Sequence, residues 1–274
     1  MKLRNLALLV VPLLLLSGCG LDELHSAAYP QVDTYDSASS LTPTTTRSHR
    51  YRFDATIPTT TRSRRALEDS KISHNSEDWL WLKSSKFVTP GSFILNKTKD
   101  TSCSTGWIVG ADDRNFILTA GHCGDRGDEF YLPDGETYIG QMVESMYVEA
   151  GGADYGLIEL SANAPVNSSP QFKDLKLLGW RGYDWIEEND PRICHLGYRT
   201  GLSCGDYLEI TPGGNVTFRG FSDHGDSGGP VFALTDEGIY AVGVLSGSGI
   251  GDASRIYGMA IQPPMQRWGL TIYN

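Results

Sequence analysis

Three short stretches carry residue types that together could break an acyl bond. Gly225-Asp226-Ser227-Gly228-Gly229-Pro230 sets a serine in a glycine-rich turn. Acyl transfer needs a nucleophile beside backbone N–H groups aimed at the oxygen that becomes negative. The N–H groups of Gly225 and Ser227 are the candidates for that oxyanion hole, because glycine lets the backbone fold where a Cβ would clash. A serine hydroxyl is a poor nucleophile alone; it needs a base, and the base needs an orienting group. Thr119-Ala120-Gly121-His122-Cys123 offers the base, just after the apolar run Phe116-Ile117-Leu118. His122 would take the Ser227 proton and then give it to the leaving amine. Ala153-Asp154-Tyr155-Gly156-Leu157-Ile158 offers the orienter. Asp112, Asp113, Asp125, Asp128 and Asp134 all sit in polar, turn-like stretches, whereas Asp154 opens an apolar strand that would shield it from water. The adjacent pair His122-Cys123 lacks the spaced ligands of a zinc site, so no metal or cofactor is expected.

Taken in the order His, Asp, Ser, the segments TAGHC, ADYGLI and GDSGGP resemble those of the chymotrypsin-like (trypsin-like) serine proteases. The bacterial branch of α-lytic protease and the streptogrisins is the closer resemblance, and it covers roughly residues 88–274. It implies an all-β fold of two antiparallel β-barrels packed at right angles, about 88–160 and 176–274, with the site in the cleft and a short C-terminal helix. It implies a serine endopeptidase acting on polypeptides through an acyl-enzyme, with His122, Asp154 and Ser227 as the catalytic set. An esterase, or a binding protein on a disabled protease scaffold, are the alternatives; the intact set of three argues against the latter. Ser246-Gly247-Ser248 is similar to the edge strand that pairs with substrate backbone, a glycine-rich loop without a ligand being the other reading. Four cysteines allow three pairings, and sequence alone does not choose. The resemblance chooses Cys103 with Cys123, locking the loop of His122, and Cys194 with Cys204, closing a short hairpin. The bridge that many relatives place just before the serine is missing; Asp223 and His224 stand there.

Two further expectations rest on the same resemblance. Arg255 falls in a segment similar to one wall of the specificity pocket, where it would favour an acidic side chain, small or apolar specificity being the default. Asp226, if buried, needs a partner. In bacterial relatives an arginine after the first hairpin cysteine serves; here that position is His195. A protonated His195 with a raised pKa is one candidate, Arg192 or Arg199 the other.

The elements around these motifs divide the chain into three. Lys2 and Arg4 precede an apolar run over 6–16, too short to span a bilayer and suited to a secretory signal over 1–18. Leu16-Ser17-Gly18-Cys19 matches a bacterial lipoprotein cleavage box, which makes Cys19 the lipidated residue. Five cysteines are odd for an exported protein; assigning Cys19 to lipid leaves four for two bridges. Residues 19–86 are rich in Ser, Thr and Pro and poor in large apolar residues, and read as a flexible tether or a propeptide, with Arg62-Ser63-Arg64-Arg65 as a possible cut site. The protease domain is placed over 87–274, where short β-prone runs alternate with Gly and Pro, and only 264–269 reads as helix. A net charge of -10 argues against nucleic-acid binding. The expected protein is a monomer in the bacterial cell envelope, extracytoplasmic and held to a membrane through Cys19.

Overall fold

Apolar runs punctuated by turn residues become strands. A computed structural model describes residues 72–149, 151–168 and 175–273. Cys19, the signal segment and residues 19–71 of the expected tether lie outside the described residues. The strands are β1 (Ser73–Asn75), β2 (Phe93–Asn96), β3 (Thr101–Ser104), β4 (Trp107–Ala111), β5 (Arg114–Thr119), β6 (Glu129–Tyr131), β7 (Tyr138–Tyr147) and β8 (Asp154–Leu160). They continue with β9 (Leu177–Trp180), β10 (Arg192–Gly197), β11 (Gly201–Ile210), β12 (Asn215–Arg219), β13 (Pro230–Leu234), β14 (Ile239–Ser248), β15 (Arg255–Ala260) and β16 (Thr271–Ile272). The β4–β5 connection shows how local chemistry sets the pairing. Ala111 pairs with Arg114 across the two residues Asp112 and Asp113, both at positive φ (48° and 60°). A two-residue hairpin turn of this kind needs left-handed backbone at both positions, which aspartate tolerates.

The strands fall into two sheets. β10, β13, β14, β15, β12 and β11 close into a six-stranded antiparallel barrel, the β11–β12 ladder completing the ring. The other sheet runs β16-β4-β5-β8-β7-β6-β2-β3, and among the described residues no ladder joins β3 to β4. Each sheet surrounds its own apolar cluster: Ile94, Ile117, Phe130 and Ile158 in the first, Ile193, Val216, Phe218 and Val242 in the barrel. A third cluster joins Trp107 and Leu118 of the first sheet to Leu196, Phe232 and Val244 of the barrel. Across this seam the Trp107 indole N–H donates to the Gly243 carbonyl at 2.8 Å. The two bridges join Cys103 to Cys123 and Cys194 to Cys204.

The fold is the expected all-β architecture with a short helix near the C-terminus, Gln262–Arg267. The helix Tyr183–Asn189 was not legible: only Ile186 of its residues is buried, so no apolar stripe marks it. The ends of the described chain cross over. β16 leaves the barrel and pairs with β4, Thr271 opposite Gly110. β1 pairs with β11 of the barrel, Ser73 opposite Cys204 and Asn75 opposite Leu202. Residues 72–86, grouped with the tether on composition, are therefore part of the packed body. After β1 a 3-10 helix, Glu77–Ser84, repeats every three residues and so turns Trp79 and Leu82 to one side, where both are buried. Full burial of Leu82 alone is worth roughly 1.5–3 kcal/mol. The run Trp79-Leu80-Trp81-Leu82 marks an approach to a packed region in the sequence, but the polar residues around it carried the tether boundary to 86; two inward residues of the run, Trp79 and Leu82, suffice to dock the segment.

Candidate active site

His122 lies in a single 3-10 turn, Gly121–Cys123, that follows β5. A Cβ on Gly121 would come within 2.2 Å of the Met146 carbonyl oxygen, so only glycine permits this approach to β7. On the far side the turn is fixed by the Cys103–Cys123 bridge and by a buried polar brace. The Asn96 amide donates to the Cys123 carbonyl at 3.0 Å and to Asp128 Oδ2 at 2.8 Å. Burial pushes the Asp128 pKa upward, but the Asn96 amide, the Asp125 N–H and the Lys99 ammonium outweigh it and hold the group below the usual carboxylate range. Asp128 thus has a bracing place that its polar sequence surroundings did not reveal.

Asp154 begins β8 opposite Tyr147 at the end of β7 and is 2% exposed. Both carboxylate oxygens meet His122: Oδ2 lies 2.8 Å from Nδ1, and Oδ1 accepts the His122 backbone N–H at 3.0 Å. The Ser246 hydroxyl donates to Oδ2 at 2.5 Å. Burial drives the Asp154 pKa up, and the His122 hydrogen bond and charge together with Ser246 more than reverse it, leaving a carboxylate with a lowered pKa. A carboxylate only accepts, so Nδ1 of His122 carries a proton toward Asp154, the tautomer that in a neutral ring leaves the Nε2 lone pair free. The exposed Tyr147 ring packs against the His122 ring at 5.7 Å, a neighbour that no sequence signal marked.

Ser227 and His122 line one cavity of about 430 Å³, together with Tyr147, Ser222, His224 and Ser246. In this resting geometry no hydrogen bond joins them among the described residues; such bonds in free enzymes are often long and tighten only with substrate. A larger cavity of about 670 Å³, bordered by Arg114, Glu159 and Tyr273, contains no histidine. The backbone around Ser227 is bound through its carbonyls. The Gly225 carbonyl accepts the Ser104 hydroxyl at 2.9 Å and the Ser227 carbonyl accepts the Ser104 N–H at 2.8 Å. Among the described residues the N–H groups of Gly225 and Ser227 have no acceptor within the protein. Gly225 has φ of 103°, and a Cβ there would lie 2.3 Å from the Tyr198 hydroxyl, so the position accepts glycine alone.

Ser246, Gly247 and Ser248 form the last part of β14. Gly247 pairs with Tyr257 and Ser248 with Ile256 of β15, whereas the β13 ladder stops at Val244. One edge of this tripeptide is therefore open beside the cavity, and a Cβ built on Gly247 meets nothing within 4 Å. The Ser246 hydroxyl, grouped on sequence with a substrate edge, is turned to Asp154.

Two expectations fail. His195 is wholly buried, and its Nε2–H donates to the Phe221 carbonyl while Nδ1 has no partner among the described residues. Burial pushes its pKa down, and this prevails over the upward pull of Asp226 and the Phe221 carbonyl; the expected rise does not occur. Asp226, also wholly buried, accepts four other donors: the N–H groups of Arg199 at 2.9 Å, Thr200 at 3.0 Å and Asp223 at 2.9 Å, and the Thr200 hydroxyl at 2.7 Å. The arginine alternatives are engaged elsewhere. The Arg199 guanidinium pairs with Asp223 at 3.2 Å, and that of Arg192 reaches Ser73, Cys204 and Asp206. The second failure is Arg255. Its guanidinium is bound to Glu209 and to the Thr217 hydroxyl, and it does not line the cavity that holds Ser227. The open, polar residues Ser222, Asp223 and His224 do.

No protein-family model and no curated protein matches this chain. Solved structures do share its fold. Thermobifida fusca protease A superposes with a TM-score of 0.55 at 21% identity, over 68% of this chain and 98% of that one. A Nocardiopsis protease gives 0.53 at 20% identity, over 68% and 99%. A Cellulomonas bogoriensis chymotrypsin gives 0.53 at 22%, over 68% and 98%. The architecture is thus that of the bacterial chymotrypsin-like serine proteases.

Proposed function

We propose that the chain is a chymotrypsin-like serine endopeptidase. Ser227 Oγ attacks the scissile carbonyl carbon while His122 Nε2 takes its proton. The carbonyl oxygen becomes negative against the N–H groups of Gly225 and Ser227, which are free to receive it. His122, now charged and held by Asp154, returns the proton to the leaving amine, and water repeats the sequence on the acyl-enzyme. The substrate backbone adds along the open edge at Ser246–Ser248 as an extra strand. The single observation that carries the reading is the double grip of Asp154 on His122 in a cavity shared with Ser227. A fluorophosphonate probe tests it. Covalent label is expected on Ser227 and is expected to vanish in Ser227→Ala; label elsewhere, or none, ends the reading.

The same reading places the enzyme outside the cytoplasm, as a monomer anchored by lipid at Cys19. Four of the five cysteines are spent in bridges, which suits an oxidising compartment and leaves Cys19 for lipid. Cys19→Ser is expected to move the protein from the membrane to the soluble fraction with the domain still reactive toward the probe. A variant that stays with the membrane would refute the anchor.

A further inference from the structure

The loop that presents Ser227 and the two free N–H groups hangs on Asp226, and the four donors that hold Asp226 include three atoms of two residues in the β10–β11 turn. Thr200 supplies two of them, its N–H and its hydroxyl, one to each carboxylate oxygen. The contact is close-built. A Cβ on Gly197, at the start of this turn, would lie 2.2 Å from Asp226 Oδ1. From its other side Thr200 is held by the N-terminal segment. A carbonyl only accepts, so His74 of β1 donates from Nε2 to the Thr200 carbonyl at 2.7 Å. The next residue, Gly201, has φ of 77°, and a Cβ there would meet the Asn75 carbonyl oxygen at 2.5 Å. The strand β1 therefore sits directly on the turn that carries Thr200.

We propose that Thr200, held in place by His74 of the N-terminal strand β1, is the positioning residue that fixes Asp226 and through it the free N–H groups of Gly225 and Ser227. The inference rests on the peptidase reading for its kinetic consequence, though its structural consequence stands apart. A buried carboxylate that loses a donor keeps its desolvation cost. Thr200→Val, equal in shape but without the hydroxyl, should let the loop move. Thr200→Ser should restore it, because the donor returns. His74→Ala should loosen the turn from behind and give a smaller effect.

The experiment uses the full chain with two readouts. In fluorophosphonate labelling, the maximal rate of reaction with Ser227 is expected to fall about 10- to 100-fold in Thr200→Val, less than the outright loss of an oxyanion donor, with the half-saturating probe concentration little changed. Hydrogen exchange across residues 221–229 is expected to quicken in Thr200→Val and in His74→Ala, and to return to the wild-type rate in Thr200→Ser. Exchange and labelling in Thr200→Val equal to wild type would overturn the proposal, as would a Thr200→Ser variant no better than Thr200→Val. Wild-type behaviour of His74→Ala in both readouts would remove the strand's part. If wild type takes no label at all, the peptidase reading fails, and the exchange measurement still decides whether Thr200 positions the loop.

Discussion

The first sheet and the barrel each bury one carboxylate at the site, and they satisfy it differently. Asp154, at the mouth of β8, is held by a histidine ring, that histidine's backbone N–H and a serine hydroxyl. Asp226, in the barrel's loop, is held by three backbone N–H groups and a threonine hydroxyl, none of which changes charge near neutral pH. Burial penalises both charges alike, so the difference lies in the partner. The first sheet pairs its carboxylate with an imidazole, which in the proposed mechanism gains a proton during turnover. The barrel fixes its carboxylate with neutral donors, and so keeps the shape of the loop around Ser227 independent of that proton. One half of the molecule is built to respond and the other to stay still.

The largest expected effects come from breaking the set that the two halves bring together, His122 and Asp154 from the first sheet and Ser227 from the barrel's loop. Ser227→Ala and His122→Ala should each abolish most of the peptidase rate by a similar large factor, because the members of such a set act as a unit. The double variant should be hardly worse than either; losses that multiply would contradict the shared site. Asp154→Asn is the sharper probe of the comparison. An asparagine amide can donate to Nδ1 and so favours the wrong tautomer of His122, for which a fall of about 10⁴ in kcat is expected. The change should leave hydrogen exchange across residues 221–229 as it is in wild type, since Asp226 keeps its own donors. Kinetic loss accompanied by loosening of that loop would mean that the two carboxylates are not independent.

The reacting set was more legible in the sequence than the packing around it. His122 and Asp154 of the first sheet and Ser227 of the barrel's loop stand in local motifs whose residue types declare their chemistry, and strands such as β5 and β14 declare themselves by continuous apolar, β-prone runs. The neutral cradle was not legible. Thr200 lies in a hairpin turn where any polar residue is ordinary, and its role depends on a carboxylate 26 residues away in the chain. His195 was misread for the same reason: its position after Cys194 suggested a partner for Asp226, but burial and the Phe221 carbonyl are facts of packing. Arg255 was within two residues of Tyr257, as expected of a pocket wall, yet Glu209 on β11, one strand beyond its neighbour β12, claims its guanidinium. Tyr147 was missed because nothing in its surroundings marks it, whereas in the docked segment 72–86 the run Trp79-Leu80-Trp81-Leu82 does signal the approach to a packed region and only the boundary at 86 was set too late.

His195 gives the smallest effect and the clearest sign. It faces two titratable groups, Asp226 and His74, and the Phe218 ring at 6.2 Å. Burial lowers its folded pKa below the ordinary 6.5. Above that value both folded and unfolded chains hold it neutral, and it adds nothing to the pH dependence. As pH falls below 6.5 the unfolded chain takes up the proton first, so stability declines, by at most about 1.4 kcal/mol per pH unit from this one group. The decline ends where the folded pKa is reached. Had His195 paired with Asp226 and risen in pKa, the slope would have the opposite sign, with stability growing on acidification. His195→Gln keeps a donor for the Phe221 carbonyl and removes the titration. Urea unfolding between about pH 5 and 8 should therefore show wild type and variant diverging only below about pH 6.5, the variant losing less. Parallel curves would mean that His195 titrates normally, and a variant that loses more on acidification would restore the ion pair.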